Sequence, residues 1–324
     1  MNKIIKIQAT GNSDVLQLSD ESSSSPGKDQ ASVRVILAGV NFIDVYHRRG
    51  QYELPLPSRL GLEGIGEIIE IGAENIDLKI GDTVFWTSTL GSYSQYINVP
   101  IDQLTRIDSK TKLNPDQILP LLLQGMTAHY LANSAYLVNK GDTALVTAAA
   151  GGVGQLLVQL LKAKGVKVVA LASSIERANY AKNVGADFAG TYQDIADLVN
   201  EATSGTGVNV VYDSVGIDVF DYCLNSLAWK GMYVLYGAAS GAVPPFDLMR
   251  LNAKSLSIRR PSLGAYTQNH AERFSRFNEM VELTLAGKLK FSAAKVFPFS
   301  QAKQAHDLIE SRTYSGKIAL DPWL

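Results

Sequence analysis

Over roughly the first 120 residues, apolar positions fall in short runs broken by turn residues, the spacing of closely set strands. ASVRVILAGV (31–40) alternates partly and then becomes continuously apolar, and GIGEIIEIGA (64–73) is rich in β-formers and bracketed by glycine. KIGDTVFW (79–86) sets a Gly-Asp turn before a strand, and SYSQYINVP (92–100) alternates. Strands this close predict a compact β-barrel-like or sandwich-like unit. The run ESSSSPG at 21–27 predicts a flexible loop.

After Pro115 the period changes. DTALVTA (142–148) reads as a strand, AAGGVG (149–154) as a glycine turn, QLLVQLLKAKG (155–165) as a helix and VKVVALA (166–172) as a second strand. Together they have the size of a βαβ unit, about 30 residues. Further apolar strands are expected at VNVVYDS (208–214), GMYVLYG (231–237) and SLSIRR (255–260), with helices at ERANYAKNVG (176–185) and DIADLVNEA (194–202). Nearly continuous apolar strands alternating with helices predict a parallel sheet covered on both faces. Two amphipathic helices, AERFSRFNEMVELTLAG (271–287) and SQAKQAHDLIES (300–311), precede a last strand, GKIALDP (316–322). The pattern predicts a two-domain α/β protein with no internal repeat.

Composition narrows the functions open to it. The chain has 324 residues, 46% hydrophobic and 19% charged, enough apolar content for real cores. Lys+Arg 30 against Asp+Glu 31 gives a net charge of −1, with no basic excess to neutralise phosphates, so dedicated nucleic-acid binding is not expected. A single cysteine, Cys223, excludes an intramolecular disulfide and any zinc site built on several thiolates. No apolar run reaches the roughly 18–20 residues of a membrane span, and MNKIIKIQAT lacks the pattern of a signal peptide. A soluble, cytoplasmic protein is expected.

The segment Ala148-Ala149-Ala150-Gly151-Gly152-Val153-Gly154 lies between a predicted strand and a predicted helix, where a dinucleotide-binding loop belongs. Small residues at 149 and 151 permit a tight turn and close approach of backbone to a pyrophosphate. Gly154 lets helix pack on strand, and the helix N-terminus offers N–H groups to an anion. An NAD site usually places an acid about twenty residues on, for the ribose 2′-OH. Here the second strand ends in Ser173-Ser174, and Arg177 follows. A guanidinium fork suits a phosphate, so NADP(H) is expected over NAD(H). Glu176 runs against this unless it serves to cap a helix.

The chain resembles the zinc-free NADPH:quinone oxidoreductase branch of the medium-chain dehydrogenase/reductase superfamily, which includes the zeta-crystallins. The resemblance spans essentially the whole chain. It rests on GVNFIDVYHRRGQY (39–52), LPLPSRLGLEGIGEIIEIG (54–72), GDTVFW (81–86), QGMTAHYL (124–131), AAAGGVG (148–154), VVYDSVG (210–216) and RPSL (260–263). It implies a GroES-like β-rich catalytic domain over 1–124 and 262–324, and a Rossmann doubly wound parallel-sheet cofactor domain over 125–261. Zinc-dependent relatives carry a Cys in the stretch matching Asn41–Asp44 and a His in a Gly-His-Glu motif. Here Asn41 and Gly61-Leu62-Glu63 stand there, and no metal is expected.

The same resemblance implies site roles. Ala150, Gly151, Gly152 and Val153 contact the pyrophosphate of NADPH, and Ser173, Arg177 and Tyr192 form the 2′-phosphate pocket. Thr127 contacts the nicotinamide end, and Tyr236, Gly237, Ala239 and Ser240 line the cofactor. Gly316 and Lys317 belong to a closing contact over it. Asn41, Tyr46 and Tyr52 face the substrate as hydrogen-bond donors to the acceptor oxygen. The implied reaction is hydride transfer to a quinone, which needs positioning more than acid catalysis. Reduction of an enone, alkenal or enoyl-thioester double bond is the alternative, and NADPH binding with little turnover is the alternative of another class. A homodimer is also implied, with SLSIRR as the strand that continues the sheet. Among the remaining polar residues, His47, His270 and His306 are expected at the surface, His129 and Cys223 in packing roles, and Asp213 in a structural turn.

Overall fold

A computed structural model of the chain describes residues 1–72 and 77–324; Ala73, the last residue of the GIGEIIEIGA run, lies outside the described residues. In chain order the first elements are β1 (Asn2–Ile7), β2 (Gln17–Glu21), β3 (Gln30–Val40), α1 (Phe42–Arg49), β4 (Ser58–Arg59), β5 (Glu63–Ile71), β6 (Thr83–Trp86), β7 (Tyr96–Pro100) and β8 (Thr105–Arg106). Next come α2 (Pro115–Ile118), α3 (Leu123–Tyr130), β9 (Thr143–Val146), α4 (Gly152–Ala163), β10 (Lys167–Ala172), α5 (Ile175–Asn183), β11 (Phe188–Thr191) and α6 (Ile195–Thr203). The chain ends through β12 (Val208–Asp213), α7 (Phe220–Asn225), β13 (Leu227–Leu235), β14 (Ser257–Arg259), α8 (His270–Leu285), β15 (Lys295–Pro298), α9 (Ala302–Ser311) and β16 (Ile318–Asp321).

Two compact units result. One takes Met1–Leu123, Thr267–Val281 and Ser292–Leu324, the other Gln124–Tyr266 and Glu282–Phe291. In the first, β3 is the spine: it pairs antiparallel with β5, β7 and β16, within the strand order β15-β16-β3-β5-β6-β8, while β2-β1-β4 forms a small separate sheet. Its core gathers Val33, Val35, Val40, Ile68, Trp86 and Tyr93. Register matters here. Ile318 opposes Val40 and Gly39 opposes Glu63, so the start of β16, the end of β3 and the start of β5 come together.

The second unit is the expected doubly wound sheet, with parallel strands in the order β11-β10-β9-β12-β13-β14. All of β9 and nearly all of β10 are buried, which is why their sequences run apolar without alternation. Helix α4 buries Leu156, Leu157, Val158, Leu160 and Leu161. Each such side chain contributes about 1.5–3 kcal/mol relative to exposure. The order reverses between β9 and β12, and a ligand of an open α/β sheet binds beyond the strand ends at such a point.

Candidate cofactor and substrate sites

The loop leaving β9 makes its turn by placing Ala148 at φ +45°, a left-handed conformation unusual for a residue with a Cβ. Gly151 then caps α4 in extended conformation, φ −79° and ψ 175°. The first N–H groups of a helix have no partner within it, so α4 presents a row of donors here. Gly151, Gly152 and Val153 are half-buried, whereas Gly154 is fully enclosed: a Cβ there would strike Ala148 O and lie 2.7 Å from Ala149 Cα. The close approach of helix to strand therefore requires glycine at 154. A Cβ on Gly152 would meet the side chain of Gln124. Ala150 is buried behind the turn.

Three residues expected at the 2′-phosphate gather at the adjoining strand ends. The Tyr192 hydroxyl accepts a hydrogen bond from Ala148 N–H, 3.2 Å. Arg177 is half-buried; burial draws its guanidinium pKa down, and the nearby hydroxyls of Tyr192 and Tyr180 act against that. Ser173 is exposed at the end of β10. Ser174 caps α5, its hydroxyl accepting from Arg177 N–H at 3.4 Å. Glu176 has an occupation of its own: hydrogen bonds from the Ser174 side chain and from its own backbone amide hold its exposed carboxyl below the ordinary value.

Asp213, at the end of β12, ties the neighbouring loops together. Its carboxylate accepts from Thr147 Oγ1 (2.7 Å), Tyr233 Oη (2.8 Å), Val215 N–H (2.8 Å) and Gly216 N–H (3.1 Å). Burial raises its pKa against these four donors. The segment after β13 lies alongside. Tyr236 N–H donates to Asp213 O (2.8 Å), Ala239 N–H to Ser214 O (3.0 Å) and Ser240 Oγ to Val215 O (2.7 Å). A Cβ on Gly237 would sit 2.7 Å from Ser214 O. Thr127 is buried on α3, as is His129.

In the first unit Asn41 follows the last residue of β3 and caps α1. Its backbone N–H donates to Asp44 Oδ2 (2.8 Å), and Asp44 N–H returns to Asn41 O (3.1 Å). Asn41 Nδ2 donates to Glu63 Oε2 (2.9 Å) and Oδ1 accepts from Lys317 Nζ (2.8 Å), while Lys317 also pairs with Glu63 Oε2. Glu63 Oε1 takes the N–H of Leu123, 2.7 Å away. Glu63 and Lys317 are both fully buried. The Lys317 side chain, expected beside the cofactor, is thus committed to Asn41 and Glu63; Gly316, at φ 143°, precedes it. Tyr46 is buried and Tyr52 is 39% exposed, their rings edge-on at 5.3 Å between centroids.

Two histidines expected at the surface are inside. His47 is buried on α1 against Tyr52, ring centroids 6.0 Å apart. His306 is fully buried because Ala302, Ala305, His306 and Ile309 share the inward stripe of α9. Its Nδ1 lies 3.1 Å from Arg48 Nη1 and its Nε2 lies 3.1 Å from Tyr93 Oη. Arginine only donates, so Nδ1 accepts and Nε2 carries the proton, which it gives to Tyr93. Tyr93 Oη donates to Asp44 Oδ2, 3.2 Å, and Arg48 ends the chain on Glu310 at 2.7 Å. Burial pushes Asp44 up to about 7, against the Asn41 N–H and the charge of Lys317. His270 is exposed, and Cys223 is packed in the core of the second unit.

The comparisons with known proteins agree with both units. The alcohol dehydrogenase GroES-like domain matches residues 27–109 and the zinc-binding dehydrogenase domain residues 152–285. The probable quinone oxidoreductase of Schizosaccharomyces pombe is 38% identical over 98% of this chain and 97% of its own length. The chain belongs to the zeta-crystallin-like quinone oxidoreductases of the medium-chain dehydrogenase/reductase superfamily. A crystal structure of Escherichia coli quinone oxidoreductase complexed with NADPH is similar at a TM-score of 0.94, with 34% identity over 99% of this chain and 100% of that one. The 2-haloacrylate reductase of a Burkholderia species is 36% identical over 92% of each chain.

One family description names zinc, and the residues here do not fit it. Asn41 and Leu62 stand where zinc-dependent relatives place their ligands, and Glu63 is occupied by an ammonium, Lys317, whose charge repels a divalent cation. Among the described residues no group of three His, Cys, Asp or Glu side chains is placed to hold a metal. No described helix is long and apolar enough to cross a membrane.

Proposed function

We propose that the chain is an NADPH-dependent quinone oxidoreductase that works without zinc. The observation that carries this reading is the pairing of the glycine turn at the reversal point of the sheet with Arg177 and Tyr192 beside it, in a chain that is 38% identical over nearly its whole length to a probable quinone oxidoreductase. Ala150, Gly151, Gly152 and Val153 hold the pyrophosphate, where a Cβ on Gly154 would break the turn. Ser173, Arg177 and Tyr192 hold the 2′-phosphate. Thr127, Tyr236, Gly237, Ala239 and Ser240 line the rest of the cofactor, and the backbone at Gly316 and Lys317 closes over it. When bound, NADPH would supply the hydride, and solvent the proton, that together convert a quinone to its hydroquinone. Asn41, Tyr46 and Tyr52 orient the acceptor and donate hydrogen bonds to its oxygen as charge develops there.

A second reading has one observation in its favour, the similarity to a 2-haloacrylate reductase. In it the same residues present an activated double bond, and Tyr52 or solvent protonates the neighbouring carbon after hydride addition. The ratio of kcat/KM for a benzoquinone to kcat/KM for 2-chloroacrylate, each at saturating NADPH, separates the two. A ratio above one supports quinone reduction, and a ratio below one moves the assignment to double bonds.

We also propose that the enzyme is a cytoplasmic homodimer joined along β14. This short, exposed strand pairs only with β13 among the described residues, leaving its outer edge open to a second copy. Light scattering that reports a monomer overturns the dimer.

A further inference from the structure

The quinone reading uses Asn41 but gives no task to the two charges locked onto its side chain. Lys317 and Glu63 are fully buried, a costly arrangement unless the surrounding geometry compensates it. Three contacts close a ring: Lys317 Nζ to Asn41 Oδ1 (2.8 Å), Asn41 Nδ2 to Glu63 Oε2 (2.9 Å), and Glu63 Oε2 back to Lys317 Nζ. An ammonium has only donors and a carboxylate only acceptors, so the two together dictate which end of the amide faces which partner.

The ring is built into the strands. Gly39 lies between Glu63 and Ala319 in the register, and a Cβ there would fall 2.7 Å from Glu63 Cδ and 2.9 Å from Lys317 Nζ. Only glycine leaves the room in which carboxylate and ammonium meet. The backbone of Asn41 is fixed separately, through Asp44 and Tyr93. One amide proton of Asn41 goes to Glu63, and the other has no partner among the described residues although Asn41 is 4% exposed. A buried donor left open in a rigid mount is poised for an acceptor that arrives with a ligand.

We propose that Lys317 and Glu63 are positioning residues for acceptor reduction, acting through Asn41. The ring turns the second amide proton outward, and the ammonium on Oδ1 polarises the amide so that this proton is a stronger donor to an oxygen gaining negative charge. The inference rests on the reading that Asn41 faces the acceptor.

The test uses four proteins: wild type, Asn41→Ala, the pair Lys317→Met with Glu63→Gln, and the triple variant. The pair removes both charges together and leaves no lone buried ion, so it folds where either single change is at risk. In the pair, the glutamine amide that replaces the Glu63 carboxylate keeps its oxygen on Leu123 N–H and presents its nitrogen to Asn41. That nitrogen draws the Asn41 oxygen inward and withdraws the outward proton. Two readouts follow. In nitrogen–proton spectra, one Asn41 side-chain amide proton is shifted far downfield in the wild type and returns to the ordinary range in the pair variant. In turnover with a benzoquinone at saturating NADPH, Asn41→Ala and the pair each lower kcat by about 10- to 100-fold, and the triple variant is no slower than Asn41→Ala.

Losses that multiply in the triple variant, an unchanged kcat in the pair, or an ordinary Asn41 amide signal in the wild type overturn the positioning role. A wild type that reduces no quinone overturns the functional reading and this inference with it. An active wild type with multiplied losses overturns the inference alone.

Discussion

Acid should destabilise the first unit through one residue, His306. It is fully buried, and its Nδ1 accepts from Arg48, so a second ring proton would enter a dry site facing a guanidinium. Burial first, and the Arg48 charge second, hold its pKa down to about 3 from an ordinary 6.5. Between those values the unfolded chain binds a proton that the folded chain refuses, so stability falls as pH drops through that window and is unaffected above it. At about pH 5 the unfolded group is some 1.5 units below its pKa, which amounts to about 2 kcal/mol lost relative to pH 7.5.

The comparison protein is His306→Gln, whose amide oxygen can accept from Arg48 and whose nitrogen can donate to Tyr93 but does not titrate. It starts less stable at pH 7.5 and loses about 2 kcal/mol less than the wild type on going to pH 5. Asp44, whose raised pKa acts in the opposite sense, and the surface carboxylates are common to both proteins and cancel in the difference. Urea unfolding followed by tryptophan emission reads the right region, because Trp86 is fully buried in the same unit as His306. Equal acid losses in the two proteins would refute the neutral, buried imidazole and with it the direction of the hydrogen-bond chain to Asp44.

Further outcomes are expected. Arg177→Ala raises the KM for NADPH about 10-fold or more with little change for NADH, because a charge-assisted phosphate contact is lost; equal effects on both cofactors remove Arg177 from the site. Tyr52→Phe lowers kcat more than it weakens cofactor binding, and an unchanged kcat reduces Tyr52 to packing. Gly154→Ala forces α4 away from Ala149 and costs about 1–3 kcal/mol in thermal unfolding, together with NADPH affinity; wild-type values in both would show that the turn tolerates a Cβ.

The division into a β-rich and a parallel α/β part was legible because each obeys a short-range period: VKVVALA becomes β10 and QLLVQLLKAKG becomes α4. The glycine turn was legible for the same reason, since strand, loop and helix are contiguous. His306 was misplaced although its signal was present: 302, 305, 306 and 309 form a helical stripe in which a histidine among alanines reads as polar until the stripe is drawn. The Asn41-x-x-Asp44 spacing likewise announces a capping box. The Lys317–Glu63–Asn41 ring left no local signal. It depends on β16 and β5 both registering against the end of β3, a coincidence of pairing that joins side chains 276 positions apart in the chain, and no window of sequence contains it.

The central claim is tested most directly by mixing purified wild-type protein with a simple benzoquinone and following the absorbance of the reduced nicotinamide, with NADPH and NADH in parallel. The account predicts quinone-dependent oxidation of NADPH, with NADH oxidised far more slowly. NADPH that binds and is not consumed when quinone is added would contradict it.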